Sequence, residues 1–218
     1  MKVDVRLNAI VDPERANGRS LADLTRMVVA GGATLIQLRD KHGATRQMIA
    51  EAREIKAALA GTGVPLVVND RVDVALIAGA DGVHVGQDDM RVEDARRLLG
   101  PEVIIGLSIN TVALAHAAPV ALLDYVGVGG VYATTSKDNP DRPIGVAGLR
   151  DIVAAFRARK RDLPVCGIAG IDAANAAPVI AAGADGVAVI SALSMRPDPE
   201  AAARELRRVV DAARDVGR

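Results

Sequence analysis

The sequence predicts an α/β protein, a single-domain (β/α)8 TIM barrel spanning residues 1–218, and three observations carry that expectation. Short β-branched runs alternate with longer alanine-rich, charge-decorated stretches from one end of the chain to the other, the pattern of repeated strand–helix crossovers. Half of the residues are hydrophobic while only 1% are aromatic. Val, Ile, Leu and Ala must therefore fill the core, as suits a parallel sheet buried on both faces. An internal repeat supplies the third observation: Ala78-Gly79-Ala80-Asp81-Gly82-Val83 recurs as Ala182-Gly183-Ala184-Asp185-Gly186-Val187, with Ala30-Gly31-Gly32-Ala33 as a weaker echo. Each copy reads as a helix stop, a tight turn and a strand start, and the glycines Gly79 and Gly183 are expected in left-handed conformations. The two strong copies lie about half a chain apart, which suits four units plus four better than the alternative, an open doubly wound sheet.

Taken in order, a first strand is expected at residues 5–10 and a helix at 20–30, opened by Ser20 as a cap ahead of Asp23. Strands at 34–38, 65–68, 82–85 and 104–107 follow, with helices at 45–60, 72–78 and 92–99 between them. The second half repeats the plan with strands at 125–128, 164–168 and 186–190 and helices at 112–117, 146–159, 172–181 and 199–216. Asp172 before a run of alanines is the start signal for the seventh of the eight helices.

Composition also excludes several classes of function. Twenty-seven basic residues balance twenty-seven acidic ones, so no global field gathers nucleic acid or an anionic membrane, and stacking platforms are nearly absent. No apolar run approaches the roughly 20 residues that span a bilayer, and the start carries Lys2, Asp4 and Arg6 instead of a cleavable apolar segment. A soluble cytoplasmic protein is the expectation. The lone Cys166 sits in an apolar run and reads as a small packed hydrophobe. Nothing in the sequence decides whether the chain is a homo-oligomer.

In such barrels the reactive groups gather on the loops after the strands. Polar residues cluster there: Gln37, Arg39, Asp40 and Lys41 after the second strand, Asn69 and Asp70 after the third, and Gln87, Asp88 and Asp89 after the fourth. Ser108 follows the fifth strand, and Thr134, Thr135, Ser136 and Lys137 follow the sixth. Loops at Gly170 and at Ile190-Ser191 precede helices whose N-terminal amides suit a phosphate. The cations Arg39, Lys41 and Lys137 stand beside the carboxylates Asp70 and Asp89, a mixture that makes sense where an anion and a dication bind together. A magnesium pyrophosphate meets both demands. Mg2+ takes one or two protein carboxylates and fills its remaining positions with water and phosphate oxygens, whereas zinc would want His or Cys.

These residues resemble the thiamine phosphate synthase family through Gln37-Leu38-Arg39-Asp40-Lys41, Asn69-Asp70, His84-Val85-Gly86-Gln87-Asp88-Asp89, Thr134-Thr135-Ser136-Lys137 and Ala182-Gly183-Ala184-Asp185-Gly186. The likeness runs over residues 35–191, and its strength lies in the joint order and spacing of motifs that are individually weak. The resemblance implies a transferase that condenses 4-amino-2-methyl-5-(diphosphooxymethyl)pyrimidine with 4-methyl-5-(2-phosphooxyethyl)thiazole, releasing thiamine phosphate and pyrophosphate through a pyrimidine carbocation. It implies that the pyrimidine pyrophosphate lies against Gln37, Leu38, Arg39, Asp40, Lys41, Asn69, Ser108 and Lys137, and that Asp70 and Asp89 carry magnesium. The thiazole phosphate would contact Thr134, Thr135, Ser136, Gly170, Ile190 and Ser191. Arg39, Lys41, Lys137 and Ser108 would be the catalytic groups. The chain departs from the family at Leu7-Asn8-Ala9, where aromatic residues are frequent, and at Ala169-Gly170, where Gly-Gly is common.

The bland readings stand beside these. Asp next to a helix start is usually a cap, the reading preferred for Asp40 and Asp88 from the residues alone. His84 sits within an expected strand, and His42 and His116 have no second ligand nearby, so all three read as structural, packed or exposed. Asp81 and Asp185 belong to helix-ending turns. Two rival functions share the fold: a thiazole tautomerase-like relative, which needs no magnesium pyrophosphate site, and a non-catalytic phosphate-ligand sensor.

Overall fold

Eight short runs of buried, mostly β-branched residues pair in chain order into a closed parallel barrel in the computed structural model, which describes residues 3–135 and 142–216. The strands are β1 (Leu7–Val11), β2 (Leu35–Leu38), β3 (Leu66–Asn69), β4 (Gly82–Val85), β5 (Ile104–Ile109), β6 (Tyr125–Gly129), β7 (Val165–Ile168) and β8 (Gly186–Val189). Helices alternate with them: α1 (Leu21–Ala30), α2 (Thr45–Ala58), α3 (Val72–Ala78), α4 (Val92–Leu99), α5 (Val112–Ala117), α6 (Gly145–Arg159), α7 (Ala176–Ala181), α8 (Ser191–Ser194) and α9 (Pro199–Val216). Closure is made by β1 pairing with β8, Leu7 opposite Val187.

Strand alternation divides the core in two. Ile36, Leu38, Leu66, Val68, Val126, Val165 and Val187 point outward and pack under the helices, whereas Ile10, Leu35, Val67, Tyr125, Cys166, Ala188 and Ile190 fill the barrel interior. Val3 and Val5 belong to that interior cluster. The segment expected to begin the first strand at residue 5 thus plugs the barrel floor, and pairing with β8 starts at Leu7.

The repeat found in the sequence has a structural purpose at that floor. Asp81 accepts from Leu66 N at 2.8 Å, Asp124 from Ile105 N at 2.8 Å and Asp185 from Val165 N at 2.9 Å. Thr34 accepts from Leu7 N at 3.1 Å in the same way. Each residue thus stands just before an even-numbered strand and satisfies an otherwise open amide at the start of the odd strand beside it. Lys56 of α2, Arg96 of α4 and Arg157 of α6 pair with the three carboxylates in turn. Gly79 and Gly183 adopt φ of 68° and 102°, as the helix-stop reading requires.

Three boundaries differ instructively. β5 continues through Ser108 to Ile109 because Ser108 occupies an inward position of the pleat; its polarity had marked it as loop. The helix α2 ends at Ala58, two residues before the expected end. The helix expected at 172–181 begins only at Ala176. Pro178 lacks an amide hydrogen and is tolerated within a first turn, so a start at Asp172 would have buried it in the helix interior. Residues 172–175 instead close a turn in which Asp172 accepts from Ala174 N and Asn175 accepts from Asp172 N, both at 2.9 Å. The one-turn helix α8 was not expected as a separate element.

Candidate active site

The C-terminal ends of the strands bring the described members of the sequence-selected set to one mouth of the barrel, in two groups. The first lies over β2 to β5. Gln37 points inward from β2 and is 3% exposed. Two residues on, at the next inward position, Arg39 donates to Asp12, a carboxylate 2% exposed at the end of β1. Lys41 reaches across to Asp70, beyond β3, and forms an ion pair with it. Asp70 itself has φ of 64°, a left-handed conformation that Asp tolerates better than most side chains, and its amide donates to the carbonyl of His84 at 2.7 Å. Asn69 ends β3 beside it.

The two acids chosen as metal ligands share a site. Burial holds the Asp70 carboxyl above its usual range, a hydrogen-bonding contact and like charge from Asp89 push the same way, and Lys41 opposes them. Asp89 is aimed by its own loop, accepting from Gly86 N at 2.7 Å. Two carboxylates close enough to repel, one of them largely buried, form a donor set that a hard divalent cation would relieve. No cluster of three or more His, Cys, Asp or Glu side chains able to hold a metal exists among the described residues. A cation at Asp70 and Asp89 would therefore draw its other oxygens from water or ligand, as Mg2+ commonly does.

Two members of the Gln37–Lys41 run have structural work. Leu38 is fully buried under the helices, so only its backbone faces the mouth. Asp40 is buried and accepts from His42 N at 3.0 Å and Gly43 N at 2.7 Å, which shapes the loop; it caps no helix, because α2 starts from Ala44 without a side-chain cap.

The second group surrounds a cavity of ≈ 640 Å³ over β6 to β8, lined among others by Thr134, Thr135, Gly170, Ile190 and Ser191. Ala169 and Gly170 both take positive φ, 81° and 67°. A Cβ on Gly170 would stand 2.4 Å from the carbonyl of Ala133, so the loop after β7 packs on the loop after β6 only because that residue is glycine. Arg196 lines the same cavity and was missed in the sequence reading. Ser136 and Lys137 lie outside the described residues.

The loop after β1 ties both groups together. Asp12 holds Arg39 and caps the following turn through Glu14 N at 2.9 Å. Arg15 donates to the carbonyl of Thr135 at 2.9 Å, and Arg19 reaches the carbonyls of Ser194, Arg196 and Pro197 at 2.9–3.2 Å. The sequence reading also missed these residues; Asp12-Pro13 directly after a strand was the available signal, an acid poised to cap a turn.

His84 is the third omission. Read as structural, it is indeed buried, but its Nδ1 lies 2.9 Å from the Tyr125 hydroxyl and its Nε2 lies 2.9 Å from Ser108 Oγ, one of the selected site residues. The Ser108 carbonyl in turn accepts from Gln87 Nε2 at 2.7 Å.

Comparison with known proteins finds one family and the same fold. The sequence model of the family described as Thiamine monophosphate synthase matches residues 7–193. A thiamine-phosphate synthase of Agrobacterium fabrum is 51% identical over 212 residues, covering 97% of this chain and 96% of that one. A thiamine-phosphate synthase of Chloroflexus aurantiacus is 47% identical over 213 residues, covering 98% and 96%. Among solved structures, a thiamine phosphate pyrophosphorylase from Pyrococcus furiosus superposes with a TM-score of 0.84 at 35% identity, over 97% of this chain and 98% of that one.

Proposed function

The chain belongs to the thiamine monophosphate synthase family, and from that premise we propose how its residues carry the family's reaction. The protein is a transferase, a thiamine phosphate synthase, which condenses the pyrimidine diphosphate and the thiazole phosphate into thiamine phosphate and pyrophosphate. The observation that supports the residue roles best is the meeting of Lys41, Asp70 and Asp89 at neighbouring strand ends.

In this reading Asp70 and Asp89 hold Mg2+, which when bound supplies charge neutralisation to the departing pyrophosphate. Arg39, fixed by Asp12, presents its remaining guanidinium donors to phosphate oxygens, and Lys41, now paired with Asp70, would offer its ammonium to the diphosphate. Lys137 adds a third positive charge. The carbon–oxygen bond to the pyrophosphate breaks, and the thiazole nitrogen attacks the exposed methylene with a lone pair that needs no general base. Gln37, Asn69 and Ser108 orient the pyrimidine. The thiazole phosphate sits in the cavity over β6 to β8, against Thr134, Thr135, Ser136, Gly170, Ile190 and Ser191. Holding the two reactants in line accounts for a further large part of the rate.

We also place the protein in the cytoplasm as a single catalytic domain. No helix among the described residues is long and apolar enough to cross a membrane. The deciding assay incubates the protein with both substrates and Mg2+ and measures pyrophosphate. Release only when both substrates are present supports the reading. A tautomerase-like relative or a phosphate-ligand sensor would release none.

A further inference from the structure

Three side chains from three different strands form one hydrogen-bonded chain across the barrel. Tyr125 of β6 bonds His84 Nδ1 of β4 at 2.9 Å, and His84 Nε2 bonds Ser108 Oγ of β5 at 2.9 Å, while the buried Gln37 of β2 stands beside the Tyr125 hydroxyl. The wall is built around the central pair. A Cβ at Gly106 would stand 2.3 Å from the Tyr125 ring and 2.5 Å from His84 Nδ1, and one at Gly127 would stand 3.2 Å from His84 Cε1. Tyr125 is the only aromatic residue of the interior cluster and is wholly buried, as His84 nearly is. A packed apolar pair would fill this space without the cost of burying two polar groups.

The chemistry of the links restricts what Ser108 can present. A neutral imidazole has one N–H and one lone pair, and a tyrosine hydroxyl has one proton. If Tyr125 donates to His84 Nδ1, then His84 Nε2–H donates to Ser108, and the Ser108 proton is left to point onward as a donor. If instead His84 Nδ1–H donates to Tyr125, the Ser108 proton is donated to His84 Nε2 and the hydroxyl is left as an acceptor only. The Gln37 amide keeps both an N–H and a carbonyl in either case. We infer that His84 and Tyr125 are positioning residues that orient Ser108, so that the tautomer of His84 sets whether the hydroxyl meets the bound ring as donor or acceptor. A 4-aminopyrimidine has a partner for each, its ring nitrogen for the donor and its amino group for the acceptor. The inference rests on the reading that Gln37 and Ser108 contact the pyrimidine.

Tyr125→Phe tests it by removing one oxygen from a packed ring. The KM for the pyrimidine diphosphate rises about tenfold, the effect of losing one buried hydrogen-bond partner, while the KM for the thiazole phosphate stays within about twofold of wild type. An unchanged pyrimidine KM, or equal rises for both substrates, overturns the inference. Nitrogen-15 NMR of the histidines in the wild-type protein gives a second reading that needs no variant to fold. Adding the pyrimidine diphosphate with Mg2+ moves the His84 ring nitrogens to the unequal shifts of a single neutral tautomer, and unmoved signals overturn the coupling. Failure of the wild-type protein to release pyrophosphate would instead overturn the proposed function, and the NMR titration would still decide the coupling.

Discussion

Arg39 donates its guanidinium to Asp12, a carboxylate buried at the end of the neighbouring strand, while Asp12 also caps the turn that follows it. The pair is formed because β1 and β2 run side by side, Val11 opposite Leu38, and each strand then projects one charged residue beyond its end. A guanidinium has five donors in a fixed fork, so a buried anion on one side turns the remaining donors toward the mouth. Asp12→Asn keeps the cap acceptor and removes the charge. The expected outcome is a loss of about 3 kcal/mol in urea unfolding, since one buried partner is left uncompensated, together with a raised KM for the pyrimidine diphosphate. Wild-type stability and KM would show that Arg39 holds its position without Asp12.

Asp70 needs a variant that respects its backbone. Asn accepts φ near 64° at least as readily as Asp, so Asp70→Asn leaves the turn intact and removes only the charge. Pyrophosphate release should fall by about 100-fold or more, as for loss of a group that stabilises developing charge, with an unchanged circular dichroism spectrum. Lys137→Ala should behave in the same way. Chelation by EDTA should stop the wild-type reaction, and excess Mg2+ should restore it. Activity that survives chelation would remove the metal from the proposed function.

Much of this was legible in the sequence for a definite reason. A parallel barrel ties each strand to its own run of β-branched residues and each active-site loop to the end of that run, so local patterns locate both. What could not be read were contacts that exist only after closure. Asp12 and Arg39 become partners through strand pairing, and His84, within a strand, reads as structural until Tyr125 and Ser108 reach it from β6 and β5. The delayed start of α7 is different in kind: Pro178 marked it, but the alanine run and Asp172 gave a stronger helix signal than the single proline.

Ala169 occupies a left-handed backbone conformation, φ 81°, in the loop after β7. For an L residue with a Cβ this costs about 1–2 kcal/mol, so Ala169→Gly removes strain even though glycine loosens the unfolded chain. A gain of about 1 kcal/mol in urea unfolding is expected. Because Ala169 also lines the cavity over β6 to β8, the same variant should change the KM for the thiazole phosphate and leave that for the pyrimidine diphosphate alone. A destabilised variant would mean that neighbouring contacts outweigh the backbone strain.

Cys166 provides a test of the barrel interior that is independent of activity. Its thiol lies in the interior cluster, 1% exposed, and burial pushes it up to about 12. The reactive species is the thiolate, so the folded protein should resist a disulfide reagent at pH 8 for as long as it stays folded, and should react fully in urea. The linkage has a definite sign. Above the ordinary thiol value of 9.0 the unfolded chain releases this proton while the folded protein keeps it. Stability contributed by the neutral, packed thiol is therefore present below pH 9 and is lost progressively toward pH 12. Replacing Cys166 by Ala should flatten that part of the pH–stability curve. It should also lower stability at pH 7, because the methyl group leaves part of the buried volume empty. Rapid labelling of the native protein at pH 8 would place the thiol outside the closed interior and contradict its place with Tyr125 and Ala188 in the interior cluster.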